Sequence, residues 1–170
     1  MAELLIVHHS PTRGMRALTE SVVAGAHDDA IENVHVTVVA ALEATAEQVL
    51  ASDGILLGTT ANFGYMSGAL KHFFDSTFLR IGGALGSDGT GDDSRSSSGA
   101  GERTAPIPYG IYVHGRYDTT GAIRSVTSIT GALPWRQAAE TLDVLGDVDD
   151  DALSRAYELG GTLAALIDAP

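Results

Sequence analysis

The stretch "LLIVHHSPTRGMRALTESVVAGA", residues 4–26, decides the fold. Leu4 to His8 reads as a buried strand and Ser10 to Gly14 as a polar turn. Met15, Leu18, Val22 and Ala26 then recur at the spacing of one helix face. A strand that feeds a helix directly is the opening half of a βαβ unit. The turn between them is where such a unit holds a phosphate, yet no glycine fingerprint marks it. There is no G-x-x-x-x-G-K-[ST] and no G-x-G-x-x-G. Its chemistry has to be judged with the other loops.

Working outward, Val34 to Val39, Gly54 to Thr59 and Ile107 to His114 are near-continuous apolar runs, the pattern of strands buried on both faces. A fifth strand is expected over Trp135 to Leu142. Helical stripes fall between and after them: Met66, Leu70, Phe73 and Phe74, then Leu153, Ala156, Tyr157, Leu163 and Ile167. Strands alternating with helices predict right-handed crossovers and an α/β, three-layer αβα sandwich around a five-stranded parallel sheet. Asp149, Asp150 and Asp151 suit the positive N-terminus of the last helix, a carboxylate metal cluster being the alternative.

Composition narrows the classes. The 170 residues, 44% of them hydrophobic, predict one domain over 1–170. With no cysteine there is no disulfide, thiolate metal site or thiol nucleophile. The opening apolar run is too short for a signal peptide or a membrane span, which leads to an expected cytoplasmic location. A net charge of −12 argues against nucleic acid and anionic lipid as partners, and leaves open an acidic docking face for a basic one. Gly82 to Thr104 is rich in glycine and serine with Leu85 its one large apolar side chain, so a long flexible excursion is expected there.

Ligands in open parallel sheets bind beyond the carboxyl ends of the strands, where the strand order reverses. Three loops qualify: His8 to Leu18, Gly58 to His72 and His114 to Arg124. In the first, Ser10 and Thr12 offer hydroxyls, Gly14 eases the turn, and the free amides of Arg13 to Met15 form an anion cup; a plain helix cap explains the hydroxyls equally well. The second displays Phe63 and Tyr65 among Gly58, Gly64 and Gly68, a surface for a flat ligand. The third sets Arg116, Tyr117 and Asp118 between glycines, fit for the polar edge of a heterocycle or for ordinary βα turns. Together the loops hold Arg13, Arg16, Lys71, Arg116 and Arg124 against one acid, Asp118, so a cationic rim is expected in an acidic protein. Metal is not expected: His8 or His9 would have to join His114 across an intervening strand, about 9 to 10 Å. A hydrolase lacks its G-x-S-x-G elbow, and a phospho-receiver lacks acids after the first strand.

The stretch "FGYMSGALKHFFDST", Phe63 to Thr77, resembles the flavodoxin-like superfamily, and most of all its NAD(P)H:quinone oxidoreductase and FMN reductase branch of the tryptophan-repressor-binding-protein type. The first loop is similar in its S-x-T-x-x-x-x-L pattern. This resemblance implies the strand order 2-1-3-4-5 and FMN as cofactor. Its phosphate would be held by Ser10, Thr12, Arg13, Gly14 and Met15. Its ring would lie between Thr60, Ala61, Asn62, Phe63 and Gly64 on one side and His114, Gly115, Arg116 and Tyr117 on the other. It also implies electron transfer from NADH or NADPH to a quinone-like acceptor, with His114 and Tyr117 as substrate-side candidates, and it admits a homodimer or homotetramer. A one-electron carrier docking through an acidic surface is the alternative. The chain departs from the branch in having Ala61 and Asn62 before Phe63, and in lacking a tryptophan after the third helix, since Trp135 is the sole tryptophan.

Overall fold

A computed structural model describes residues 1–83 and 105–168. In chain order the elements are β1 (Ala2–His8), α1 (Arg13–Ala26), β2 (Val34–Ala40), α2 (Ala46–Ala51), β3 (Gly54–Asn62), β4 (Tyr65–Met66), α3 (Gly68–Thr77), β5 (Ile107–Gly115), α4 (Thr120–Thr130), β6 (Trp135–Gln137), β7 (Leu142–Leu145) and α5 (Asp150–Asp168). The main sheet is parallel and ordered β2-β1-β3-β5-β6, so the order reverses between β1 and β3. Numbered by main-sheet strands alone, this is the expected 2-1-3-4-5.

Two apolar layers sandwich the sheet. On one face Leu5, Val7, Ile55, Leu57, Ile111 and Val113 pack against Val49, Leu70, Phe73, Phe74 and Val126 of α2, α3 and α4. On the other, Leu4, Ile6, Leu56 and Tyr112 meet Met15, Leu18 and Val22 of α1 and Ala156, Leu159 and Leu163 of α5. The alternation of neighbouring residues between the two layers is that of a pleated strand. Helices α1 and α5 cross at backbone distance: a Cβ on Gly25 would lie 1.9 Å from the Tyr157 carbonyl oxygen, and one on Gly160 equally close to that of Val22.

Three local expectations need correction. The fifth strand is two short pieces, β6 on Ile107–Tyr109 and β7 on Tyr112–Gly115, both parallel to β5. Tyr109 and Tyr112 are three positions apart while Gln137 and Leu142 are five apart, so the surplus residues leave the edge. The Gln137 side chain holds this excursion by donating to the Ala139 carbonyl and the Thr141 hydroxyl, both at 3.1 Å. Met66 is not on the third helix but in β4, opposite Ala61, and α3 starts after the Ser67 cap, whose hydroxyl accepts from the Leu70 amide at 3.1 Å. Tyr157 is not core: it is exposed, and its hydroxyl donates to Asp28 at 2.5 Å. The excursion expected at Gly82 to Thr104 lies, from residue 84 on, outside the described residues. No described helix is long and apolar enough to cross a membrane.

Candidate functional site

The carboxyl ends of β1, β3 and β5 come together at one edge, with the start of α1 beside them. Thr12 caps α1, its hydroxyl accepting from the Met15 amide at 3.2 Å. The amides of Arg13 and Gly14, in the first turn, have no acceptor among the described residues. His114 seals the base of this turn. A Cβ on Gly14 would lie 2.8 Å from its Cε1, and its Nε2 donates to the Gly146 carbonyl at 2.9 Å. The imidazole is thus wedged between the first turn of α1 and the β7–α5 loop.

Thr60 is the second element of the site. On β3 it follows Leu56 and Gly58 on the face that meets α1, and it pairs with His114. It is 4% exposed and its hydroxyl has no partner among the described residues. A buried hydroxyl left unpaired costs about 1 to 3 kcal/mol. Thr60 and the first turn of α1 are linked through His114, which pairs with Thr60 and packs against Gly14; free amides at a helix N-terminus can accept an oxyanion.

Ser10 is turned inward. Its Oγ lies 2.9 Å from His8 Nδ1 and 2.8 Å from Thr19 Oγ1, and Thr19 in turn is 3.0 Å from the hydroxyl of Tyr112. Tyr112 is fully buried, with burial raising its phenol well above the ordinary value. Its ring occupies the place a side chain on Gly58 would take, since a Cβ there would be 2.2 Å from Tyr112 Cζ. Gly58 is therefore a seat for this ring more than a hinge for the aromatic loop. Burial, and secondarily His9, lowers the pKa of His8.

Past Thr60 the chain makes a two-residue hairpin, Phe63 at φ 51° and Gly64 at φ 78°, between paired Asn62 and Tyr65. Positive φ at both corners is the type I′ geometry that matches strand twist, and glycine suits the second corner. Phenylalanine at the first is an outlier held against its preference. Ser67 N–H donating to Thr59 Oγ1 at 2.9 Å anchors the return strand. The turn rests on α4, where a Cβ on Gly121 would be 2.0 Å from the Gly64 carbonyl oxygen. Phe63 is wholly exposed, and Tyr117 on the adjoining loop is 89% exposed. The open first turn of α1 and the exposed aromatic pair therefore lie at one edge. Asn62, Phe63, Arg116 and Tyr117 stand open there, while Ala61 and Gly115 are drawn into the framework.

The expected cationic rim is mostly spoken for. Arg116 Nη1 lies 2.6 Å from Asp147, which raises its pKa; Lys71 is 2.6 Å from Asp75; Arg16 donates to the Pro11 carbonyl at 3.0 Å. Asp147 arrives on the β7–α5 loop together with Asp149, whose carboxylate caps α5 by accepting from the Ala152 amide at 2.9 Å. The edge is thus more acidic than the three loops imply. Sequence reasoning missed Thr19, Tyr112 and Asp147. The first two look like core positions, and Asp147 sits in a run that reads simply as a helix start.

The fold is flavodoxin-like. A solved flavodoxin from the domain Archaea superposes with a TM-score of 0.72 at 13% identity, covering 97% of this chain and 98% of its own. A Streptococcus pneumonia TIGR4 flavodoxin gives 0.70 at 17%, covering 98% and 100%. A flavodoxin described as WrbA-like, from Agrobacterium tumefaciens, gives 0.70 at 15%, covering 98% of both chains. In sequence, a curated flavodoxin of Aquifex aeolicus (strain VF5) is 32% identical over 99 residues, 58% of this chain. The match spans about half of that relative's length, 51%. No family model matches.

Proposed function

We propose that this protein binds FMN across the edge formed by β1, β3 and β5 and serves as a one-electron carrier of flavodoxin type. The observation that carries the reading is the pairing, at one sheet edge, of an exposed phenylalanine held at φ 51° with the open N-terminus of α1 and the buried Thr60 hydroxyl that lacks a partner among the described residues. A phosphate ester satisfies the second and a planar ring the first. Thr12, the amides of Arg13 and Gly14, and Thr60 hold the phosphate; Phe63 and Tyr117 flank the ring. FMN, when bound, supplies redox chemistry that no side chain here has. The similarity to flavodoxins in both sequence and fold supports the assignment.

The choice of carrier over reductase rests on charge. Asp147 offsets Arg116, and Asp118 adds a second acid beside the hairpin. Its carboxyl is held below the usual range by the hydrogen bond from the Thr120 amide, so it stays ionised. Acids near a bound ring oppose the negative charge that a second electron brings. The Phe63 to Thr77 resemblance favours a second reading, an NAD(P)H:quinone reductase. Redox titration of the FMN complex, with NADH or NADPH and benzoquinone offered in parallel, separates them. Well-spaced one-electron potentials without pyridine-nucleotide oxidation are expected. A single two-electron step with quinone-dependent oxidation of NADH or NADPH would refute the carrier and support the reductase.

A further inference from the structure

The chain His8, Ser10, Thr19 and Tyr112 runs from the anion cup into the core, and its hydrogens can be assigned by elimination. The phenol of Tyr112 is fully buried and its partner is Thr19 Oγ1 at 3.0 Å. A buried donor without an acceptor is costlier than a spare lone pair, so the phenol donates to Thr19. The Thr19 hydroxyl, with that lone pair filled, has Ser10 Oγ at 2.8 Å as its acceptor. Ser10 therefore receives from behind, and its own proton is free to point either to His8 Nδ1 or out to the cup.

We propose that Tyr112 and Thr19, neither of which reaches the ligand, set the direction of the Ser10 proton so that Ser10 serves the cup as a donor to phosphate. The inference rests on the anion site proposed above. When an oxyanion enters, neutral His8 with its hydrogen on Nδ1 donates to Ser10 at 2.9 Å, and Ser10 then accepts twice and donates outward. Every polar hydrogen in the chain is used, and none competes with the ligand. Tyr112 is a positioning residue in this scheme. Its ring stays seated over Gly58 whether or not the oxygen is present, so Tyr112→Phe removes the signal and keeps the packing. Without the phenol proton, Thr19 Oγ1 becomes an empty acceptor and draws the Ser10 proton inward.

The test is a double-mutant cycle on the full chain, with FMN and riboflavin bound in fluorescence titrations and inorganic phosphate followed by thermal shift. Tyr112→Phe is expected to weaken FMN about fivefold, the size of one neutral hydrogen bond, and to leave riboflavin unchanged. In a Ser10→Ala background the same substitution should do nothing, because its effect has lost its carrier. The paired variant Thr19→Val with Tyr112→Phe removes the inward acceptor as well as the phenol, strands no donor, and should restore most of the FMN affinity in a well-folded chain. An equal loss for riboflavin, a loss that persists with Ser10→Ala, or no loss for either FMN or phosphate overturns the inference. If the parent binds phosphate in a Tyr112- and Ser10-dependent way but not FMN, the cofactor reading falls and this inference stands. A parent that binds neither ligand overturns both.

Discussion

Replacing Phe63 by asparagine separates what the residue costs from what it does. The side chain is wholly exposed, so removing it forfeits no burial. Its φ of 51° lies in the left-handed region, which costs an ordinary L-residue about 1 to 2 kcal/mol and asparagine much less. Phe63→Asn should therefore stabilise the ligand-free protein by about 1 kcal/mol, or roughly 2 to 4 °C in Tm for a domain of this size. Its flavin affinity should move the other way. Stacking of a heteroaromatic on an aromatic side chain contributes about 1 to 3 kcal/mol, or roughly 5- to 150-fold in Kd. Thermal denaturation without ligand and fluorescence titration with FMN read the two halves. A variant that melts below the parent and binds FMN as well would refute both the strain and the platform. A higher Tm with unchanged affinity would refute the platform alone.

Further outcomes follow from other residues. Gly58→Ala drives a methyl into the Tyr112 ring and should destabilise by about 1 to 3 kcal/mol, with partial recovery when Tyr112 is shortened to leucine; chemical denaturation of the single and double variants checks this. Thr12→Ala removes the α1 cap and should cost about 1 kcal/mol of stability, while weakening FMN more than riboflavin in parallel titrations. The lowered pKa of His8 means that below about pH 6.5 the unfolded chain takes up a proton the folded chain resists. Stability should therefore fall on acidification through that range, and His8→Asn should flatten the fall in denaturation curves taken across it. Asp147→Asn frees Arg116 from its partner and should narrow the gap between the two flavin potentials, read by redox titration.

The sheet was legible because its strands are buried on both faces: Leu4 to His8 and Gly54 to Thr59 are short, near-continuous apolar runs alternating with helical stripes, the pattern of parallel strands under helices. The α1 stripe of Met15, Leu18 and Val22 was equally plain, and all three are fully buried. What escaped the sequence depends on register and on three-dimensional neighbours. Two surplus residues between Gln137 and Leu142 split an edge strand, and no composition marks such a mismatch. Met66 fits a helix stripe and a strand alike, and only the positive φ of Phe63 and Gly64 turns it into a hairpin partner. In the site, the three loops were found from topology, but their electrostatics were not. The acid that answers Arg116 comes from Asp147, 31 positions away, on a loop that looks like a helix cap. Ser10 was read as facing a ligand, and its inward partners Thr19 and Tyr112 are hidden among core residues.

The close crossing of α1 and α5 has a consequence for the order of events in synthesis. The helix that follows residues 10–12 is seated by Gly25 and Gly160 against a segment translated more than a hundred residues after it. Until α5 emerges, Met15, Leu18 and Val22 of α1 have the sheet beneath them but the helix lacks the neighbour that closes on it at Gly25, so a nascent chain carries the proposed phosphate loop on a partly docked helix. On the proposed FMN reading, capture is tied to completion of the fold: a ribosome-bound fragment ending before residue 150 should leave FMN free in solution.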